Sequence, residues 1–173
     1  MSSVHFHLAF THFPIIGTII GVLLLIGGFL FRKEPVIKSA LLLFIGMAIV
    51  AIPVFLTGEG AEEAVEHLPG VTDNIIHEHE ELAEKAIILM EILGVFSLLS
   101  FILMLLKSKF SKIANILVLI VSIAAFGLIA KVGNLGGQIR HTEIRKSGIT
   151  GQNTMGETKN ELNSKSEGEE ENE

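Results

Sequence analysis

The sequence predicts an all-α protein, a four-helix transmembrane bundle with a short outer helix and a disordered acidic tail. Two observations carry that prediction. Hydrophobic residues make up 49% of the 173 residues and charged residues only 18%, and the mean hydropathy is +0.57, far too oily for a soluble domain of this size. The apolar residues are also gathered into four runs, each long enough to cross a hydrocarbon layer of roughly 30 Å as a helix. Backbone groups in lipid must be satisfied within their own segment, so helix is the state open to such runs.

The spans are placed at about 8–31, 38–57, 77–106 and 112–140, within a membrane domain of residues 1–146. Nothing from Met1 to Phe31 is charged, and no basic segment precedes the first run, so it is read as a span rather than a secretory signal. Gly17 and Gly21 within it form a small-xxx-small pair suited to close helix contact. Arg32, Lys33 and Lys38 join spans one and two, and Lys107, Lys109 and Lys112 join spans three and four. The positive-inside rule makes these loops cytoplasmic in the cell (inner) membrane, with both termini outside, although Arg140, Arg145 and Lys146 lie on the opposite side from that bias. Between spans two and three, Thr57 to Pro69 is expected to form the short outer helix, with Glu59, Glu63 and His67 on one face. Residues 147–173 hold almost nothing apolar and end in a run of glutamates, the composition of a disordered acidic tail.

Composition also bounds the chemistry. The chain has no Cys, Trp or Tyr, which excludes disulfides, thiolate metal sites and a thiol nucleophile. Metal chemistry would rest on histidine and carboxylate. A net charge of −6 makes nucleic acid a poor partner. No Ser-His-acid arrangement or phosphate-binding glycine loop stands out, so an enzyme is the less favoured class.

Seven histidines are present, and all fall at the predicted outer side. A rise of about 1.5 Å per residue from the cytoplasmic helix ends puts His12 at about 28 Å, His7 at about 36 Å, and His79 and His141 at about 40 Å. Helical phase pairs His5 with His12 on span one. On span three it aligns His77, Glu84 and Glu91, with Glu80 and Glu81 between them, and on span four Lys131, Asn134, Gln138 and His141. Ionisable groups turned toward lipid are costly, so these stripes are expected to face one another or a wet cavity. Glu91 and Lys131, at heights of about 22 and 27 Å, are expected to form an ion pair that fixes helix register, with a role in proton movement as the alternative. In the cluster from His77 to Glu81, His77 and His79 point to opposite faces, so at most one of them belongs to a shared site.

The opening His7-x4-His12-Phe13-Pro14 resembles the H-P-x-x-x-H-F-P start of the bacterial multi-helix membrane family catalogued as domain of unknown function 2231 (DUF2231). Thr57-Gly58 after span two, the acidic loop leading to a histidine at span three, and the Gly-Gly pair on span four are similar to later features of that family, over roughly residues 5–145. Leu8 replaces the family's first proline, which leaves span one free to start earlier. The resemblance implies four membrane helices and haem association, with no settled activity. Its motif pairs His7 with His12, whereas phase pairs His5 with His12.

The first functional expectation is therefore a redox or metal-handling module binding b-type haem or a transition metal ion through outer-end histidines. The cofactor candidates are His7, His12, His77, His79 and His141, with Arg140 or Arg145 on haem propionates. As a bare metal site the donors would be His5, His12, His77, Glu81 and His141, and the favoured pair is His12 with one of His77, His79 or His141. Two other classes remain beside it. One is an ion- or proton-handling protein using the intramembrane Glu84, Glu91 and Lys131; the other is a non-catalytic scaffold subunit. The lipid bilayer is the expected environment, and a homodimer or a larger membrane complex is plausible for so small a bundle.

Overall fold

The computed structural model describes residues 3–66 and 71–140, and every regular element among them is helical. In chain order these are α1 (Ser3–Phe10), α2 (His12–Leu30), α3 (Glu34–Leu56), α4 (Gly58–Glu62), α5 (Asp73–Leu105) and α6 (Ser111–Arg140). Among the described residues, four stretches are long and apolar enough to cross a membrane: His5–Leu30, Glu34–Leu56, Asp73–Leu105 and Ser111–Ile139. The helices outrun the predicted spans at several ends because polar turns such as Glu34-Pro35 and Asp73 start a helix as well as apolar ones do. The proposed tail and His67 lie outside the described residues.

α1 and α2 form one span with a break at Thr11. Pro14 has no N–H to offer the Phe10 carbonyl, and the Thr11 hydroxyl instead donates to His7 O at 2.9 Å and Leu8 O at 3.2 Å. α3 likewise contains Pro53 near its end. The Thr57 hydroxyl closes that helix by donating to the carbonyls of Pro53 and Val54 at 2.9 and 3.0 Å. The outer helix is much shorter than expected. It runs only from Gly58 to Glu62, and turns carry the chain on to Glu66.

The two hairpins, α2–α3 and α5–α6, are built alike. Each turns on a cationic residue at positive φ, Arg32 at 52° and Lys107 at 50°. Each then returns an N–H five residues back, Lys33 to Gly28 O and Ser108 to Leu103 O, both at 2.9 Å. This is the Schellman closure, with a basic side chain where glycine is usual.

The four spans close into a ring in which α2 packs on α3, α3 on α5, α5 on α6 and α6 on α2. Glycine makes the close approaches. Gly17, Gly21 and Gly28 of α2 lie against Met47, Phe44 and Ile37 of α3, so the small-residue face predicted on span one is a packing face. On α5, a Cβ at Gly94 would stand 2.6 Å from Ala48 Cβ. The centre is filled by Leu25, Leu41, Phe44, Met90, Leu93 and Val118. Buried polar contacts set the register: Ser100 Oγ donates to Asn115 Oδ1 at 2.6 Å between α5 and α6, and Thr18 Oγ1 reaches Met90 Sδ at 3.8 Å between α2 and α5. The outer surface of the ring is aliphatic, with Ile20, Leu23, Ile49, Val95 and Ile120 exposed. A helix bundle that is apolar outside as well as inside suits lipid contact.

Candidate metal centre at the histidine end

Buried positions recur every seven residues along two helices, and both series end in histidine. On span one the series is Gly28, Gly21 and Pro14, all buried, and its next step is the half-buried His7. On α5 it is Ser100, Leu93 and Ala86, all buried, and then the half-buried His79. Both helices run the same way in the bundle, and the Thr18–Met90 contact pairs residues 72 apart in sequence. His7 and His79 are also 72 apart. The two imidazoles therefore stand level across the ring, close enough for His7 to act electrostatically on His79.

The His7 ring is fixed by a backbone carbonyl. His7 Nδ1 lies 2.9 Å from Val54 O; a carbonyl only accepts, so Nδ1 carries the proton and Nε2 keeps its lone pair. Val54 offers this carbonyl because it sits in the last turn of α3, where no later helical N–H arrives. His79 lies beside the backbone of Val132 of α6, and its Nδ1 is buried and has no partner. Gly136 makes room for the His79 ring, and Gly58 stands in ordinary contact with that of His7. A Cβ at Gly58 would lie 3.6 Å from His7 Cε1, and one at Gly136 would lie 3.3 Å from His79 Cε1.

The other candidates fall elsewhere. His5 and His12 are exposed, on the face of span one that carries the exposed Ile16, Ile20 and Leu23, so His12 is not brought to His79. His77 is exposed and lies 3.6 Å from Glu80, while Glu81 binds Lys85 at 2.7 Å. Opposite faces for His77 and His79 are what the helix presents. The stripe of His77, Glu84 and Glu91 is split, because α5 buries Ile76, Ala86, Met90 and Leu93: His77 and Glu84 are exposed, whereas Glu91 is half-buried with its Oε1 shielded. The Glu91–Lys131 pair does not form. The Ser100–Asn115 bond sets the α5–α6 register so that Lys131 lies 4.0 Å from Glu78, well outward of Glu91. On α6, Gln138 Nε2 donates to Asn134 Oδ1 at 2.6 Å. His141 and Arg145 lie outside the described residues, as does the side chain of Arg140.

A second polar feature lies beside this pair. Glu62 and Glu66, with Asp73, Ile76, His77 and Glu80 of α5, line a recess of about 230 Å³. A side-chain hydrogen bond to Glu80 raises the pKa of Glu62 to about 7; burial and repulsion from Glu80, Glu66 and Glu59 add to it.

Among the described residues no group of three or more histidine and carboxylate donors converges on one point. The donor set at the seam is two imidazoles, that of His7 with a carbonyl behind it, which is the way proteins orient metal-ligating histidines. Two imidazoles satisfy the axial positions of a haem iron, or part of the shell of a zinc, copper or nickel ion. The sequence signal for the pair was the glycine series itself: the face that carries Gly21 and Gly28 is the inward face, and it carries His7 one heptad above Pro14. Comparison with family models, with curated proteins and with solved structures returned no match, so the DUF2231 resemblance stands on its motif residues alone.

Proposed function

We propose that this is a multi-pass membrane protein of the cell membrane that holds an imidazole-ligated transition-metal centre between His7 and His79. The centre is a single ion or the iron of haem b, and its role is redox or metal handling rather than substrate turnover. The observation that supports this reading most is the level placement of two histidines on the buried seams of span one and α5, His7 tied to a carbonyl through one nitrogen and His79 with Nδ1 buried and unpartnered. The basic hairpins support a histidine end outside the cytoplasm by the positive-inside rule. Nε2 of His7 and Nδ1 of His79 would hold the metal, and Val54 would keep the His7 ring oriented. A bound centre of this kind would supply one-electron exchange or ion transfer at the outer membrane surface. The test is purification from cells supplied with both haem precursors and metals, followed by pyridine haemochrome spectra and elemental analysis. A near-stoichiometric haem signal identifies the haem form and a near-stoichiometric metal without haem the ionic form; colourless, metal-free protein contradicts the proposal.

A proton-handling role is the second reading, and Glu91 supports it. Its Oε1 is buried within α5 with no hydrogen-bond partner, and a lone intramembrane carboxyl is a functional candidate by default. Under that reading Glu91→Gln abolishes proton flux into proteoliposomes, and unchanged flux removes it.

A further inference from the structure

The charges of the bundle are divided between its ends. Among the described residues, Glu34 is the one carboxylate within 3–58 and 92–140, and all the others lie between Glu59 and Glu91. The two tight hairpins carry six cations, Arg32, Lys33 and Lys38 on one and Lys107, Lys109 and Lys112 on the other. Because α2 packs on α6 and α3 on α5, the hairpins stand side by side at one end of the ring, with neighbouring axes about 8–10 Å apart. Glu34 answers only Lys38, at 3.9 Å. Arg32, Lys33, Lys107 and Lys112 are exposed and have no anionic partner among the described residues.

Two features set this patch apart from an ordinary solvated surface. The first is strain. Both apex residues, Arg32 and Lys107, hold a left-handed backbone that glycine adopts freely and a residue with a Cβ does not. Both hairpins keep a cation there all the same, and strain retained in this way points to a use for the side chain. The second is what lies between the charges. Phe31, directly before Arg32, is 69% exposed; Leu106, directly before Lys107, is 73% exposed; Phe110, with Lys109 Nζ 5.2 Å from its ring centroid, is 55% exposed. Cations and bare apolar side chains thus alternate where the apolar spans end. That pattern matches a phospholipid, phosphate outside and acyl chain inside, whereas a soluble anion would leave the apolar groups in water. We propose that the two basic hairpins form one binding surface for anionic phospholipid, with Arg32, Lys33, Lys107 and Lys109 at the headgroup phosphate and Phe31, Leu106 and Phe110 against the acyl chains. The surface lies at the far end from His7 and His79 and does not depend on what they hold.

Spin-labelled lipids test this directly. The full-length protein is reconstituted in phosphatidylcholine vesicles containing a trace of spin-labelled phosphatidylglycerol or spin-labelled phosphatidylcholine. Electron paramagnetic resonance then reports the lipid held at the protein as a motionally restricted component. The parent protein prefers the anionic label by about tenfold, which is modest for this many cations near a membrane surface. The double variants Arg32→Gln/Lys33→Gln and Lys107→Gln/Lys109→Gln each lower that preference about threefold, and their combination removes it. Glutamine keeps a side chain at each apex, so the turns are unchanged and the loss reads charge. Lys85→Gln, an exposed cation paired with Glu81 at the histidine end, leaves the preference intact. Inorganic phosphate displaces no more label than chloride of equal ionic strength. Equal association of the two labels in the parent, a preference that survives the combined variant, or an equal loss in Lys85→Gln overturns the proposal. Displacement by phosphate beyond that by chloride also overturns it, in favour of a soluble anion.

Discussion

The two ends of the bundle are built on different principles. At the basic end the chain turns twice by the same local device, with Arg32 and Lys107 at positive φ and an N–H returned five residues back. Just inside it, Ser100 and Asn115 bond at 2.6 Å. At the histidine end there is no repeated turn. The chain leaves α3 through the five-residue α4, and the polar groups are arranged by tertiary register. One end is closed by residues adjacent in sequence; the other is assembled from residues 72 apart. That division places rigidity away from the candidate site and leaves the site under an element with few anchors.

Breaking the seam that holds the ends in register gives the largest stability effect. Gly94→Val sets a branched side chain against Ala48, and overpacking of this kind destabilises by about 1–3 kcal/mol, more if the backbone cannot shift. Reversible unfolding in mixed detergent micelles measures it, and wild-type stability would remove the tight α3–α5 contact from the account. A smaller change of opposite sign is expected at the basic end. Arg32→Gly relieves a left-handed backbone strain of about 1–2 kcal/mol and gives part of it back as unfolded-chain entropy, for a net gain of about 0.5–1 kcal/mol in the same assay. Lys107→Gly should match it, and a loss of stability in both would show that the side chains rather than the turns matter there. The smallest effect belongs to Asn115→Ala. Interhelical hydrogen bonds in membranes are worth about 0.6 kcal/mol on average, so a loss of that order sharpens the comparison, whereas a loss several times larger would contradict it.

The same division explains what the sequence could and could not reveal. The four spans follow from apolar length, and the Gly17–Gly21 packing face follows from helical spacing. The basic turns are visible as charge between two apolar runs. The Glu91–Lys131 pair failed because counting from predicted helix ends cannot give the stagger between helices; Ser100 and Asn115 fix that stagger, and they bring Lys131 to Glu78. His12 attracted attention through its motif, yet it shares a face with the lipid-facing Ile16 and Leu23. His7 was legible in phase with Gly21 and Gly28, but its bond to Val54 depends on where α3 ends, which Pro53 and Thr57 decide. The short outer helix stops at Glu62, and nothing local in the alternation of Glu and Ala foretells that stop.

The central claim is that the inward histidines, not the motif's outward one, form the site. The most direct measurement compares bound haem and metal per chain in the wild type, His7→Ala, His79→Ala and His12→Ala, all loaded and purified identically. The account predicts near-stoichiometric loading of the wild type and of His12→Ala, with loss from both His7→Ala and His79→Ala. Loading that survives His79→Ala and disappears in His12→Ala would contradict it.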